Sequence, residues 1–236
     1  MKHYHTLALK ELLAQRVTSV LILLAIVLST MMTAVIGQSI GVLSAMRQQQ
    51  AIAIGGNRHA GFVQMDEAQM ETLRSDPRLS FVGAYMVLGS ARLDNTLLLG
   101  LSEFQEDVRA VYPAISAIKE GRLPQAPMEL ALPEDVLGYL GFSGELGDTL
   151  TLSLSKALRH GVITQSYDFT ADFTLVGVTE SNYLHYAAGT INGIVGPGTV
   201  KALLPEEYLY YNVDIRVADK GSFQDTMDEL VSSLNV

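Results

Sequence analysis

Histidines are the first side chains to consider, since imidazole is both a common metal ligand and the commonest general base. The chain contains His3, His5, His59, His160 and His185. None belongs to a His-Glu-x-x-His motif, and none has a close His or Asp neighbour at metal-ligand spacing. His3 and His5 form one close pair, which would hold a metal only loosely in a terminal segment. We therefore predict no metal site.

Three other groups of side chains could do chemistry. The stretch Gly141-Phe142-Ser143-Gly144 faintly resembles a nucleophile elbow, but it lacks the second glycine at the required position and follows a predicted helix. Asp168 and Asp172 lie on one side of a predicted strand and could pair as two carboxylates, although a solvated strand face is favoured. A set of tyrosines could line a groove, although a core or edge role is favoured: Tyr183, Tyr186, Tyr208, Tyr210 and Tyr211.

Nucleotide-binding loops are also missing from the sequence, which has no Walker A motif and no Gly-x-Gly-x-x-Gly motif. None of the residue types considered above forms a recognisable catalytic constellation. We therefore predict that the chain is not an enzyme and has no cofactor.

The element that must position the rest of the chain is residues 17–36, twenty residues without a charge. A helix of that length spans about 30 Å, the hydrocarbon thickness of a bilayer. Fifteen of its side chains are apolar, and the others are Ser and Thr, whose hydroxyls can bond to their own helix. We predict a transmembrane helix rather than a buried core helix or a cleaved signal peptide, whose apolar region is shorter. Residues 37–56 are predicted to continue it as a helical stalk that ends at Gly55-Gly56.

Small residues recur every four positions along this helix, which allows the backbone of a second membrane helix to approach closely. The row drifts by about 40° per step, so only two or three members would meet one partner. Chance occurrence of small residues is the alternative interpretation. No later window is long and apolar enough to span a bilayer, so we expect the partner helices in another chain or beyond this sequence. The row consists of Ala25, Ser29, Thr33, Gly37, Gly41 and Ala45, and its first five members are the predicted packing residues.

Charge is distributed unevenly along the chain. Residues 1–16 carry three basic side chains against one acidic, whereas residues 47–236 carry 13 basic against 24 acidic. The positive flank belongs in the cytoplasm, which predicts a cytoplasmic N-terminus, a cell-membrane location and an extracytoplasmic large domain. Such an acidic exterior argues against nucleic acid and against adhesion to anionic lipid. The absence of cysteine means that the domain is held by its core alone, which suits a bacterial envelope.

The outer region begins with a mixed pattern of strands and helices. Strands are predicted at 59–65, 79–88 and 96–101, and helices at 66–74, with Asp66 as the N-cap, and at about 103–112. In the middle, a turn at 121–124 precedes a strand at 129–132 and a helix from Pro133 to about 140. Strict alternation then predicts paired strands at 149–154 and 167–178, joined by a connection at 156–166.

The last part returns to a strand at 191–195, a short helix at 197–204 and a strand at 208–217. Ser222 is predicted to cap a final helix, whose apolar stripe would be buried. The stripe consists of Phe223, Met227, Leu230, Val231 and Leu234.

The order of these segments resembles the N-terminal part of FtsX/MacB-type ABC transporter permeases, whose outward domain is a MacB-like periplasmic core domain. The segments that carry the resemblance are LALKELLAQRVTS before the apolar helix, then GRLP, ELALPEDVLGYLG, GDTLTL and FTLVGV. Each is weak alone, but their order and spacing behind a first membrane helix are fairly specific, and they cover nearly the whole chain.

The resemblance implies an α+β fold: one N-terminal transmembrane helix with a stalk, then a two-lobed extracytoplasmic mixed α/β domain. In that family a porter-like βαβ lobe is built from both ends of the domain, and a β-rich lobe is inserted between them. The strands and helices predicted above divide in the same way. The predicted boundaries are 1–16 for a cytoplasmic amphipathic segment, 17–36 for the transmembrane helix, 37–56 for the stalk, 57–115 plus 205–236 for the porter-like lobe, and 116–204 for the inserted lobe.

The resemblance also implies a function without catalysis in this chain. A cytoplasmic ABC ATPase subunit would hydrolyse ATP, and the outer domain would serve export or release of a peptide, lipid or lipoprotein. Further transmembrane helices, of the same or another permease chain, are expected as partners, which makes this chain a fragment or a truncated product. The alternative is a stand-alone, single-pass membrane-anchored binding or sensor domain.

Overall fold

The computed structural model describes residues 16–105, 111–112, 115–160, 163–181, 186 and 189–234. The predicted amphipathic segment therefore lies outside the described residues except for Arg16, as do His3, His5, Tyr183 and His185. The structure divides into two units, a helical segment up to Gln50 and a domain from Ala51 onward. Each unit is described by itself.

One continuous helix, α1, runs from Arg16 to Gly55. Its 40 residues correspond to a length of about 60 Å. The predicted membrane helix and stalk are thus a single element. The helix ends where predicted, because Gly56 adopts φ +81° and donates its N–H to the carbonyl of Ile52 at 3.0 Å. A glycine in this left-handed conformation is a common C-terminal stop.

The part of α1 from Val17 to Ile52 is long and apolar enough to cross a membrane, judged by length and composition, with a mean hydropathy of 2.6. Its hydroxyls bond to their own helix, as predicted. Thr30 donates to Ile26 and Val27, and Thr33 donates to Ser29 at 2.9 Å. These bonds reduce the cost of polar groups in lipid.

The domain is β-rich, with helices on the connections, which confirms the predicted mixed α/β fold class. The strands are β1 Ala60–Met65, β2 Leu79–Arg92, β3 Leu98–Phe104, β4 Ile118–Gly121, β5 Glu129–Pro133, β6 Thr149–His160, β7 Ile163–Thr179, β8 Thr190–Val195 and β9 Tyr211–Val217. The helices are α2 Glu67–Arg74, α3 Glu134–Tyr139, α4 Thr199–Leu203 and α5 Phe223–Leu234. Two short 3₁₀ helices span Glu206–Tyr208 and Lys220–Ser222.

These strands join in the order β1-β9-β2-β3-β8-β5-β7-β4, with β6 alongside β7. Strand β9 lies between β1 and β2 and is antiparallel to both, so the two ends of the domain meet in adjacent strands. Strands β3 and β8 pair in parallel and connect this region to the strands of the middle segment. The two-lobe boundaries at 115/116 and 204/205 stay a prediction.

Helices α2 and α5 follow the sequence signals closely. Asp66 accepts the N–H of Gln69, and the Gln69 side chain accepts the N–H of Asp66, which is a capping box. Gln69 also donates to the carbonyl of Leu234 at 3.0 Å, which joins α2 to the end of α5. On α5 the buried side chains are Thr226, Leu230 and Leu234, whereas Val231 is 40% exposed. The predicted stripe was therefore wrong at Val231, because the buried face follows positions 226, 230 and 234 and Val231 lies about 100° around the helix from Leu230.

The largest difference from the sequence prediction is the hairpin of β6 and β7. The segment 156–166 was predicted as a connection, but β6 extends to His160 and β7 begins at Ile163. The pairing continues without interruption from Thr149 opposite Thr174 to His160 opposite Ile163. Lys156 interrupted the apolar pattern and hid the continuation, although Leu158 resumes it.

Other boundaries also moved. Strand β3 continues through Phe104, so a helix beginning at 103 was wrong; Glu103 is instead buried and accepts the N–H groups of Gly198 and Val200, both at 2.8 Å. Strand β4 was missed, and it ends at Gly121 with φ +74°. The strand predicted from 208 begins only at Tyr211, because Tyr208 closes a 3₁₀ turn.

Candidate functional site

The two aspartates of the predicted carboxylate pair lie on the same exposed side of β7, as the alternation indicated. They are four residues apart, which corresponds to about 13 Å along a strand and is too far to share a proton. Asp172 accepts a hydrogen bond from the Thr151 hydroxyl at 2.6 Å, across the hairpin. Asp168 faces Ser155 in the register. These contacts agree with the favoured interpretation, that the two aspartates lie on a solvated strand face.

The glycine-flanked serine lies in a turn after α3. Gly141 adopts φ +64°, and the next N–H, that of Phe142, donates to the carbonyl of Leu137 at 2.9 Å. These features belong to a helix C-terminus. Ser143 is exposed in the loop that follows, so the strand-to-helix turn of a nucleophile elbow is not formed here.

The described members of the tyrosine set are either buried or half-buried. Tyr208 and Tyr211 are buried, and the ring of Tyr208 packs on that of Tyr167 with centroids 5.6 Å apart. Tyr186 packs on Tyr139 at 6.3 Å. Tyr210 alone among the described members lines a groove, the one characterised below.

Among the described residues no three His, Cys, Asp or Glu side chains are grouped to hold a metal ion. His59 accepts the N–H of Val217 through its Nδ1 at 3.1 Å, which is a structural contact of the sheet. Burial lowers the pKa of His59, and the nearby charges of Lys220 and Arg216 act in the same direction.

The five predicted packing residues of α1 (Ala25, Ser29, Thr33, Gly37 and Gly41) are exposed along the described helix. A Cβ added at Gly37 or Gly41 would meet nothing within 4 Å. The side chains on this side of the helix are thus small and leave its surface open, which is the condition for close helix packing in a membrane. No other helix within the described residues packs against this row, so the packing role stays a prediction.

A groove of about 540 Å³ lies on one face of the sheet. Its floor consists of alternate residues of neighbouring strands, and many of them are small, which is why a groove exists there. The floor residues are Tyr85, Val87 and Gly89 on β2, Leu98, Gly100 and Ser102 on β3, and Thr190 and Asn192 on β8. One wall is formed by residues 155–159 of β6, and the rim by Val63, Gln64, Tyr210 and Asn212.

Lys156 is the central charged group of this groove. Its residue is only 9% exposed, and its Nζ donates to the carbonyl of Val87 at 2.6 Å. In the described part of the chain no carboxylate forms an ion pair with it. Burial lowers the pKa of the Lys156 ammonium to about 8, because removal from water disfavours the charged form.

The rim of the groove contains a strained backbone position. Gln64 adopts φ +56°, which non-glycine residues rarely do, at the point where the β1–β9 register shifts between Phe62 and Met65. The Gln64 N–H donates to Asn212 at 3.3 Å. The neighbouring Val63 is 68% exposed, so an apolar side chain stands open at the rim.

A second polar cluster lies beside the groove, around the buried carboxylate of Asp214. Arg58 pairs with one oxygen of Asp214, and the hydroxyl of Tyr112 donates to the other at 2.5 Å. Burial raises the pKa of the Tyr112 hydroxyl, and Tyr85 and the Asp214 carboxylate add to the effect. For Arg58, burial would lower the pKa, but the Asp214 carboxylate outweighs it and the net pKa is raised.

Sequence reasoning missed Lys156, and one signal was available. Leucines alternate through Leu150, Leu152 and Leu154 and resume at Leu158, all of them buried. Lys156 occupies the inward position between the last two. A charged residue at an inward strand position is unusual enough to mark a candidate site.

Several solved structures are similar to this chain. The chain is similar to the extracellular domain of the noncanonic ABC-type transporter YknZ from Gram-positive bacteria, with 14% identity, a TM-score of 0.47, and coverage of 75% of this chain and 84% of that chain. It is also similar to a domain described as a permease protein from Porphyromonas gingivalis, with 12% identity, a TM-score of 0.42, and coverage of 73% and 70%. A third match is the periplasmic region of MacB from Actinobacillus actinomycetemcomitans, with 13% identity, a TM-score of 0.43, and coverage of 73% and 74%.

No protein-family model matches the chain, and no curated protein matches it. The descriptions of the three structures name the class of protein that the sequence motifs resemble. Their similarity to this chain is one of fold, that of a mixed α/β domain.

Proposed function

We propose that this chain is the N-terminal part of an ABC transporter permease subunit. Its extracytoplasmic domain would couple ATP hydrolysis by a partner ATPase to export or release of a peptide, lipid or lipoprotein. In this proposal the chain itself is not an enzyme, since ATP is hydrolysed in the cytoplasmic subunit. The N-terminus lies in the cytoplasm, in agreement with the basic residues before α1.

The observation that carries the proposal is the helix α1. Its apolar side chains from Val17 to Met46 are exposed, and the small residues Ser29, Thr33 and Gly37 leave its surface open to another backbone. A lone membrane anchor needs no such surface, because lipid solvates an apolar helix as well as protein does. A permease with several membrane helices does need it.

The topology of the domain agrees with this role. The first strand, β1, and the last, β9, are neighbours in the sheet. The first and last strands of the domain are therefore adjacent, an arrangement that suits a domain inserted between two membrane-spanning segments.

A stand-alone, membrane-anchored binding or sensor domain is the second candidate. The groove around Lys156 favours it, because a largely apolar cleft with a few convergent polar groups is the usual form of a ligand site. The groove is equally compatible with a permease. The two candidates differ in whether α1 packs against other membrane helices, so a test on α1 discriminates between them.

The test is substitution of the small residues by leucine in the protein expressed from its own locus. Thr33→Leu and Gly37→Leu should hold a neighbouring helix away and reduce the size of the detergent-solubilised complex on native gels. Met31→Leu and Val35→Leu are matched controls, since they lie about 160° from Thr33 around the helix. If the complex of the Thr33→Leu and Gly37→Leu proteins keeps its size, the row of small residues has no role in packing. That result would favour the stand-alone, membrane-anchored domain.

A further inference from the structure

The wall of the groove has an unusual lining. Five consecutive residues of β6, from Ser155 to Arg159, line it. Successive side chains of a strand point to opposite faces, so a cleft over one face would be lined by alternate residues. A cleft lined by every residue runs along the edge of the strand instead.

That edge of β6 is open over most of its length. Strand β6 pairs with β7 from Thr149 to His160, whereas on its other side the pairing within the described residues is limited to Ser155 with Ser90. In an antiparallel pair, alternate residues direct both their N–H and C=O groups away from the partner strand. Beyond Lys156 such groups therefore face the groove without a strand partner among the described residues, which is a template for an added strand.

The charge of the groove contrasts with that of the domain. From residue 47 onward 24 acidic side chains outnumber 13 basic ones. Yet none of the described residues that line the groove is acidic, whereas Lys156 and Arg159 both are basic. The local charge is therefore complementary to an anion.

Lys156 adds a specific point of attachment. Its ammonium has three donor hydrogens, of which one is used by the carbonyl of Val87. A buried cation without a carboxylate partner costs folding free energy, so its presence at an inward strand position calls for a compensating role.

We propose that this groove binds an extended peptide segment that carries a carboxylate side chain, with its backbone added to the open edge of β6 and its carboxylate paired with Lys156. Hydroxyl and amide groups of the groove lining, those of Ser90, Ser102 and Asn192, satisfy the outer polar groups of the peptide, and Val63 provides an apolar contact at the rim. This inference goes beyond the proposed function and holds equally for a permease or an anchored binding domain.

The experiment uses the full chain in lipid nanodiscs. A pool of random hexapeptides with one fixed Glu is incubated with the protein, a matched pool carries Gln instead, and bound peptides are identified by mass spectrometry. We expect enrichment from the Glu pool over the Gln pool. The best binder is then resynthesised and its Kd measured by fluorescence anisotropy.

Two changes separate the contributions of charge and backbone. Lys156→Met should weaken the Glu peptide by about tenfold or more, as expected for loss of a close charge pair. Lys201→Met is the matched control at an exposed lysine and should leave the Kd unchanged. N-methylation of alternate peptide nitrogens in the two possible phases removes backbone donors, and one phase should weaken binding about tenfold.

Folding is checked in the same samples. At pH 7 the Lys156→Met protein should melt at the same or a higher temperature than wild type, because a buried charge without an acidic partner has been removed. Gly100→Val provides a second obstruction of the groove floor, where an added Cβ would lie 3.3 Å from the Asn192 side-chain oxygen. It should also abolish peptide binding.

Equal recovery from the Glu and Gln pools would overturn the proposal, as would unchanged peptide affinity in a folded Lys156→Met protein. Binding of decanoate that depends on Lys156, without binding of any peptide, would likewise overturn it and would assign the groove to a lipid. Failure of the peptide experiment leaves the permease proposal untouched, since that proposal is tested through α1.

Discussion

The hydroxyl of Tyr112 donates to Oδ2 of Asp214 at 2.5 Å, joining residues that are 102 positions apart in the chain. Asp214 is 1% exposed, and its other oxygen is paired with Arg58. Its register partners on the two neighbouring strands are Gly61 and Gly83, and a Cβ at Gly61 would lie 2.7 Å from Oδ1 of Asp214. The glycine at 61 therefore makes room for a buried carboxylate that ties the first residues of the domain to its last strand.

This cluster should contribute strongly to stability. Tyr112→Phe removes a hydrogen bond to a charged group and should lower the free energy of unfolding by about 1.5–3 kcal/mol. Asp214→Ala leaves Arg58 and Tyr112 without their acceptor and should cost about 3 kcal/mol or more. Urea denaturation followed by near-ultraviolet circular dichroism measures both. Tyr139→Phe, at an exposed ring, is the control, and a Tyr112→Phe protein as stable as that control would contradict the assignment.

A second prediction concerns acid stability and the Glu129 carboxylate. It accepts two hydrogen bonds from the Arg122 guanidinium, at 2.5 and 2.7 Å, and the N–H groups of Gln125 and Ala126. These contacts, those of Arg122 above all, lower the pKa of Glu129 to about 2 from an ordinary value of 4.5. Because the folded-state pKa is lowered, the stabilisation is present above pH 4.5 and is lost as the pH falls toward 2.

Glu129→Gln should therefore be less stable than wild type at pH 7, and the difference should shrink as the pH falls from about 4.5 to 2. Thermal denaturation at half-unit pH steps measures this. Glu134→Gln, which alters an exposed pair with Lys119, should show little difference at any pH. A constant gap between wild type and Glu129→Gln across this range would refute the prediction.

The orientation of the chain can be tested through its lack of cysteine. Lys201→Cys places a single thiol at an exposed position of α4, and a cysteine at Lys2 places one before α1. In intact cells with a permeabilised outer layer, a membrane-impermeant maleimide should label position 201 and leave position 2 unlabelled until the cells are lysed. Labelling in the reverse order would overturn the predicted topology.

Local signals in the sequence were sufficient for several elements. Asp66 followed by Gln69 marks the start of α2, and Gly55-Gly56 marks the end of α1, because a cap and a left-handed turn depend only on neighbouring residues. Strict alternation likewise identified β6 and β7. Each of these features depends on a few neighbouring residues, so the sequence alone was sufficient to predict it.

The parts that sequence reasoning missed depend on distant pairing. Strand β4 has four residues and exists through its contacts with β7, where Glu120 faces Val178. The groove requires β6, β2, β3 and β8 to meet, which no local pattern indicates. Lys156 was overlooked because a lysine in the sequence usually indicates a loop or a surface position, and the burial of the surrounding strand is known only from the structure. Gln64 was overlooked because its backbone strain arises from a register shift against β9.

Purification from native membranes tests directly the proposal that this chain works as part of an ABC permease. The protein is expressed with an affinity tag from its own locus, solubilised in mild detergent, and analysed with its bound partners by quantitative mass spectrometry. We expect a cytoplasmic ABC-type ATPase in stoichiometric amount, and its loss in the Thr33→Leu, Gly37→Leu protein. Recovery of the intact, folded protein without any such ATPase would contradict the permease proposal.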